Sequence, residues 1–457
     1  MGIKSSNVKF NYIKFKKAQS VISYVLTNRL SKLTSNYNND VFFASNYIDS
    51  QGNIFHGGYV MNNSGYREGM VTKMDTNSNV LKSISINSYS NPNNLVHKLV
   101  EDSEGFIYAL HREYTGSTYY TSLIKFDKDL IAQQSFIASD TSGRHFFPQG
   151  MTIDSNDTIY IVGSLHDGSN YDKPYILKVD NNLNILDNKL IDFSGSSANL
   201  FTDVRVLSNG EIVTFGYSRN VQSQYDILIC KFDDSLNLLT SKIIEVSGAY
   251  NIITEKMDID SSDNIYMAGR VNSSLSRDYD ALICKVDKDL NNLSYKAFNH
   301  DDNSYDEFNS VYYNSSNDSV YVVGNMNTSL QDYNAVVFKL NNDLTVQSAL
   351  EINDSSKNYR EEFNSIYISG TNILISGTTR EESNRYFGLN WVLTQDVDTL
   401  PSSIGTFDIT PLYYVETPVS LTLSSIVPNT LTATMSVNNN LVTPTNITLS
   451  DVVNNTY

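Results

Sequence analysis

Six histidines, His56, His97, His111, His145, His166 and His300, are scattered along 457 residues with no HxH or HExxH spacing. A histidine-based metal site is therefore not expected. The chain has no GxSxG nucleophile turn and no glycine-rich phosphate loop. His145 in SGRHFFPQG and His300 beside Asp301 and Asp302 are the local groupings worth testing, and both read first as polar loop residues. The acidic stretch NHDDNSYDEF (299–308) offers Asp301, Asp302 and Asp306 to a hard cation such as Ca²⁺. It lacks the spacing of a known calcium loop and reads rather as a solvated loop. Cys230 and Cys284 lie in DILICKF and DALICKV, at a place where other copies of the segment carry Thr72, Ile124, Leu177 and Phe338. That is a packing position, not a disulfide or metal pair. No cofactor is implied.

A row of tyrosines is the more suggestive feature: Tyr66, Tyr119, Tyr171, Tyr225, Tyr279, Tyr333 and Tyr386. Beside them stand Arg67, Asp172, Asp226, Asp278, Asp280, Asp332 and Arg385. Planar rings among Asp, Arg, Ser and Asn suit a sugar or a protein partner. The competing account is that each Tyr packs against its neighbouring unit, and the regularity of the row favours it slightly.

The elements that position this row repeat along the chain. IDSQGNIF, VEDSEGFIY, IDSNDTIYIVG, IDSSDNIYMAG and NSSNDSVYVVG are versions of one phrase. The second hydrophobic run of each unit closes at Gly58, His111, Gly163, Gly216, Gly269, Gly324 and Gly377, at intervals of 52 to 55 residues. A second marker, Lys73, Lys125, Lys178, Lys231, Lys285 and Lys339, keeps the same period, with Thr394 in the seventh place. Within a unit the runs are short, β-branched and aromatic, and turn residues separate them, so each unit reads as four strands. DSSDN is a hairpin turn in which Asp260 and Ser261 bond their own backbone, and Asp263–Asn264 tolerate a left-handed conformation. The recurring Lys, present in six units, is expected to lay its stem on the sheet with its charge at the edge.

Seven four-stranded units predict an all-β fold, a seven-bladed β-propeller over 27–397. The segment 27–35 is expected to supply the outer strand that the last unit lacks, beside 386–394, and so to close the ring. In such a blade the loop before the third strand shares a face with the blade-to-blade connections, which places the Tyr row on one rim. The phrases DSSDNIYMAGR…YDALICKVD and DSNDTIYIVGS…YDKPYILKVD resemble the short bacterial β-propeller repeat family over about residues 40–395. That resemblance implies a scaffold and no shared catalytic site.

A net charge of −17 argues against a nucleic-acid partner. No run is long and apolar enough for a membrane span, and no Sec-type leader is visible. Residues 1–26 form a basic arm, and 398–457 read as a small, low-charge β module suited to docking. Together these features resemble a structural component of a phage or phage-tail-like particle, assembled in the cytoplasm. Its ends would dock to other structural proteins and its propeller would be displayed for host-surface glycan or protein binding without catalysis. The alternatives are a lyase or glycosidase acting on polysaccharide, which would need paired carboxylates in the central channel, and an intracellular interaction scaffold.

Overall fold

The computed structural model describes residues 40–86, 92–140, 144–166, 172–193, 198–219, 224–246, 251–272, 279–300, 305–329, 332–354, 360–370, 372–380 and 386–393. It also describes, by backbone pairing alone, 29–35 and the short strands between 403 and 456. The described residues contain no helix. They form seven antiparallel sheets, the blades of a propeller; blades 1 to 6 start with four strands in sequence order from the axis outward, and in blade 7 three such strands are followed by Arg29–Ser35. The inner strands are Val41–Ile48, Leu95–Glu101, His145–Ile153, Asn199–Val206, Ile252–Ile259, Glu307–Asn314 and Arg360–Ser369. Blade 7 meets blade 1 directly. Asn46 Nδ2 donates to Ser365 O at 3.1 Å, Ser365 Oγ donates to Asn46 Oδ1 at 2.9 Å, and Asn364 Nδ2 donates to Phe43 O at 3.1 Å. The ring is closed, as the seven repeats predict.

The repeated phrase is a self-contained turn. In 260–264, Asp260 N bonds Asn264 O and Asp263 N bonds Asp260 O, both at 3.0 Å. Asp260 Oδ1 accepts from the amides of Ser262 and Asn264, each at 2.9 Å. Asp263 takes φ +62°, while the equivalent Gly52, Gly105 and Gly210 take +83°, +86° and +83°. Asp replaces Gly where its carboxylate is used. Asp263 accepts from Ser208 of the previous blade (N 2.9 Å, Oγ 2.6 Å), and Asp157 does the same for Ser103. The turns between third and fourth strands follow the same plan, but their left-handed residue is Ser78 in blade 1 and Leu130, Leu183, Leu236, Leu290 or Leu344 in blades 2 to 6. A leucine there costs about 1–2 kcal/mol in backbone strain. Each of these side chains is at most 4 % exposed, and such burial returns about 1.5–3 kcal/mol.

The recurring Lys does more than lie on its own sheet. Lys73, Lys125, Lys178, Lys231 and Lys285 donate to backbone carbonyls of Lys128, Asn181, Asp234, Lys288 and Asn342, at 2.6, 3.0, 2.8, 2.9 and 2.8 Å. Every acceptor sits in the next blade's outer turn, so the Lys staples blade to blade. A tyrosine on the second strand joins it: Tyr108 OH donates to Asp102 Oδ2 at 2.9 Å and reaches Asn181 O at 3.1 Å. The repeated Gly has a local reason. Each inner strand is bulged beside it, and a Cβ on Gly58, Gly163, Gly216, Gly269, Gly324 or Gly377 would fall 1.8–2.0 Å from an inner-strand carbonyl oxygen. Blade 2 keeps the bulge but carries His111, whose ring lies against Gly69, where a side chain would clash at 2.6 Å.

The described strands between 403 and 456 form no sheet of their own. Phe407–Pro411, Val415–Thr417, Leu421–Ser425, Asn429–Leu431, Met435–Asn438 and Thr445–Ile447 pair in turn with the outer strands of blades 6, 5, 4, 3, 2 and 1. Leu449–Thr456 then pairs with Arg29–Ser35, which pairs with Tyr386–Leu393 of blade 7. The low charge expected of a compact module instead belongs to strands dealt out one per blade. Residues 1–26, the expected arm, lie outside the described residues.

Candidate functional site

The inner-strand bulges turn consecutive side chains toward the axis, because a bulge re-aims the residues that follow it. They line a cavity of about 310 Å³ that touches all seven inner strands. Its wall is uneven. Blades 6, 7 and 1 contribute Tyr312, Tyr367 and Tyr47, with ring centroids 5.5 Å and 5.1 Å apart in sequence around the axis. Blades 2, 4 and 5 contribute Lys98, Arg205, Lys256 and Asp258. Arg205 is the hub of this side. Its Nη1 lies 2.9 Å from Asp203 Oδ1, its Nε 3.4 Å from Asp258 Oδ1, and its Nη2 donates to Met257 O at 2.6 Å. Asp203 is fully buried. Burial alone would push its carboxyl up, but the charges of Arg205, Lys256 and Lys98 hold it below the ordinary range. Burial outweighs Arg205 at Asp258 and raises that carboxyl. Lys98 is lowered to about 8, first by burial and then by the like charge of Arg205.

A second cluster occupies the face that carries the blade-to-blade connections, opposite the tight turns. Arg270 Nη1 contacts Glu307 Oε1 and lies 3.5 Å from Glu255 Oε1. Its guanidinium stands 5.4 Å from the ring centres of both Tyr279 and Tyr305. The row continues through Tyr333, 6.2 Å from Tyr305, whose face carries Arg360 at 3.8 Å. Glu362 Oε1 lies 2.6 Å from Arg360 Nε. Burial pushes Glu307 up to about 7, against the pull of Arg270 and with the help of Glu255.

The expected tyrosine row is built mainly as cross-strand pairs with arginine. Arg112, Arg219 and Arg380 stand 5.4, 5.7 and 5.3 Å from the rings of Tyr119, Tyr225 and Tyr386. Arg67 sits 4.7 Å over Tyr59, and Tyr66 is 37 % exposed. Asp172 is 2.6 Å from His166 Nδ1, while Asp226 and Asp280 are buried. Of the named row, only Tyr279 and Tyr333 are brought into one cluster. Tyr171, Asp278 and Arg385 lie outside the described residues, as does the side chain of Asp332. Of the cation candidates, Asp301 and Asp302 lie outside them too. Asp306 is fully buried and uses its oxygens on the amides of His300 (3.0 Å) and Asn327 (2.8 Å). Among the described residues no group of three or more His, Cys, Asp or Glu could hold a metal ion. Cys230 and Cys284 are both buried free thiols in the packing.

Sequence reasoning missed the axial residues. Their signal was present: Lys98, Asp203, Arg205, Lys256 and Asp258 put charges on inner strands where other blades carry Ser, Gly, Thr, Val or Tyr.

No family model and no curated protein matches the sequence. Among solved structures the chain is similar to the crystal structure of the polysaccharide lyase Uly1. The TM-score is 0.46 at 8 % identity, over 77 % of this chain and 90 % of that one.

Proposed function

We propose that this propeller is a non-catalytic binding disc whose connection face takes a saccharide through blades 5 to 7. The observation that carries this is the run Tyr279, Tyr305 and Tyr333, half-buried and braced by Arg270 and Arg360. The three carboxylates of Glu255, Glu307 and Glu362 face two guanidinium charges, and Glu307, raised to about 7, carries only part of its charge near neutral pH, so the row presents planar rings among largely compensated donors and acceptors. That is the chemistry of sugar and polar-protein surfaces, not of a charged steering patch. An acid–base pair is disfavoured because Glu255 and Glu307 share one guanidinium, leaving neither disengaged for proton transfer. A place in a virion or tail-like particle, docked through its terminal segments and facing a host-surface glycan, completes the proposal. The basic composition of residues 1–26 supports that placement.

Glycan arrays and bacterial surface polysaccharides, incubated with the purified full-length protein, test this directly. Binding without released fragments is expected, weakened about tenfold by Tyr305→Ala, as loss of about 1–1.5 kcal/mol of aromatic contact implies. Release of shortened or unsaturated sugar would establish the lyase or glycosidase alternative instead. Retention of a protein ligand with no glycan bound would favour the scaffold.

A further inference from the structure

The axial cavity holds a charge arrangement that the rim does not explain. Most of its carboxylate oxygens are engaged within the protein, although Glu101 Oε1 is buried without a hydrogen-bond partner. Asp203 Oδ1 accepts from Arg205 at 2.9 Å and Val204 N at 3.0 Å, while its Oδ2 accepts from Met257 N at 3.2 Å. Asp258 accepts from Arg205 at 3.4 Å and from Tyr313 N at 2.8 Å. Glu101 Oε2 accepts from Tyr47 OH at 2.7 Å. Lys98 and Lys256 line the same cavity, and neither ammonium has a hydrogen-bond or ion-pair partner among the described residues. Two ammonium groups without a hydrogen bond, beside a third cation and offset only by longer-range attraction to Asp203 and Asp258, carry a desolvation cost in the folded chain. Such groups persist where their use lies in binding.

We infer that the channel waist is a second binding site, for a small ring-shaped molecule carrying one carboxylate or phosphate. The oxyanion sits between Lys98 and Lys256, each of which offers three N–H donors. Tyr312, Tyr367 and Tyr47 face it across the axis and supply the stacking wall for the ring. A volume of about 310 Å³ admits one such unit and stands at the small end of ligand pockets, which run from about 300 to 1,000 Å³. The inference is independent of the rim, since it shares no residue with the Tyr279–Tyr305–Tyr333 row.

Isothermal titration of the full-length protein with glucuronate, glucose 6-phosphate and glucose tests it. Both anions are expected to bind, and glucose at least about tenfold more weakly. The double variant Lys98→Met, Lys256→Met loses at least about tenfold in anion affinity, the loss expected for one charge-assisted hydrogen bond or more. Its thermal midpoint stays level or rises, because a repulsive pair has gone. Lys98→Arg keeps anion binding. Glucose binding as tightly as the anions, or no anion binding at millimolar concentration, overturns the inference. So does unchanged affinity in the double variant, or in both single variants should the double variant fail to fold. Binding of glucuronate but not glucose 6-phosphate, or the reverse, assigns the anion's chemistry within the same site.

Discussion

Replacing Lys231 with Met tests whether the recurring lysine is a staple between blades. Met keeps most of the apolar stem, which matters because Lys231 is only 6 % exposed. What it removes is the ammonium that donates to Lys288 O at 2.9 Å in the next blade and lies 2.5 Å from Glu211 Oε2. A charged donor of this kind contributes about 1.5–3 kcal/mol. The Glu211 carboxylate is partly exposed, so its pairing adds little beyond that. We expect a loss of about 2 kcal/mol at pH 7. The pH dependence is a second signature. Lys231 holds Glu211 below the ordinary carboxylate range. That stabilisation is present above the unfolded pKa and is lost as the pH falls through the lower folded value. The wild-type advantage should therefore shrink between pH 7 and pH 3. Urea unfolding followed by circular dichroism measures both, and hydrogen exchange at 287–292 reports the turn itself. A variant that unfolds with the wild type at both pH values, with unchanged exchange in that turn, refutes the staple.

Four further outcomes follow from the same geometry. Leu236, fully buried at φ +55°, should cost about 2–5 kcal/mol as Leu236→Ala; Leu236→Gly should be no worse, because glycine relieves the backbone strain, and a much less stable Gly variant contradicts that account. Glu307→Gln should change the pH profile: a carboxyl raised to about 7 makes the folded chain bind its proton more tightly, so stability falls as the pH rises from about 4.5 to 7. Thermal midpoints across that window should move in favour of the Gln variant. Anion binding at the waist should weaken as the pH rises through about 8, where Lys98 loses its proton among Arg205, Asp203, Lys256 and Asp258, and a titration series from pH 6.5 to 9.5 reads it. Deleting 398–457 should leave blade edges unpaired and make the propeller self-associate, visible by light scattering; a monodisperse truncated chain argues against the edge role.

The sequence shows the ring plainly because its signals are local. A turn such as 260–264 is settled by an Asp whose carboxylate reaches amides two and four residues ahead, and that geometry needs no distant partner. Blades 1, 2, 3 and 5 all carry it between their first two strands, and the seven repeats built around such turns fix blade number and strand order. The Lys was visible as a marker but not as a staple, since its acceptor lies about 55 residues away in another blade. Leu236 and its equivalents were invisible for the opposite reason: leucine gives no turn signal, and only burial between blades makes its conformation acceptable. The axial charges required knowing which inner-strand positions face the channel, and a one-residue bulge shifts that register in every blade. The tail was read by composition, which marks exposed-edge chemistry but cannot say that the edges belong to seven different sheets.

Arg29 pairs with Thr456 across two neighbouring strands of blade 7, so the first and last described strands lie side by side in the sheet that also completes the circle. Tension applied to either end is borne by that one blade, across hydrogen bonds perpendicular to the strands.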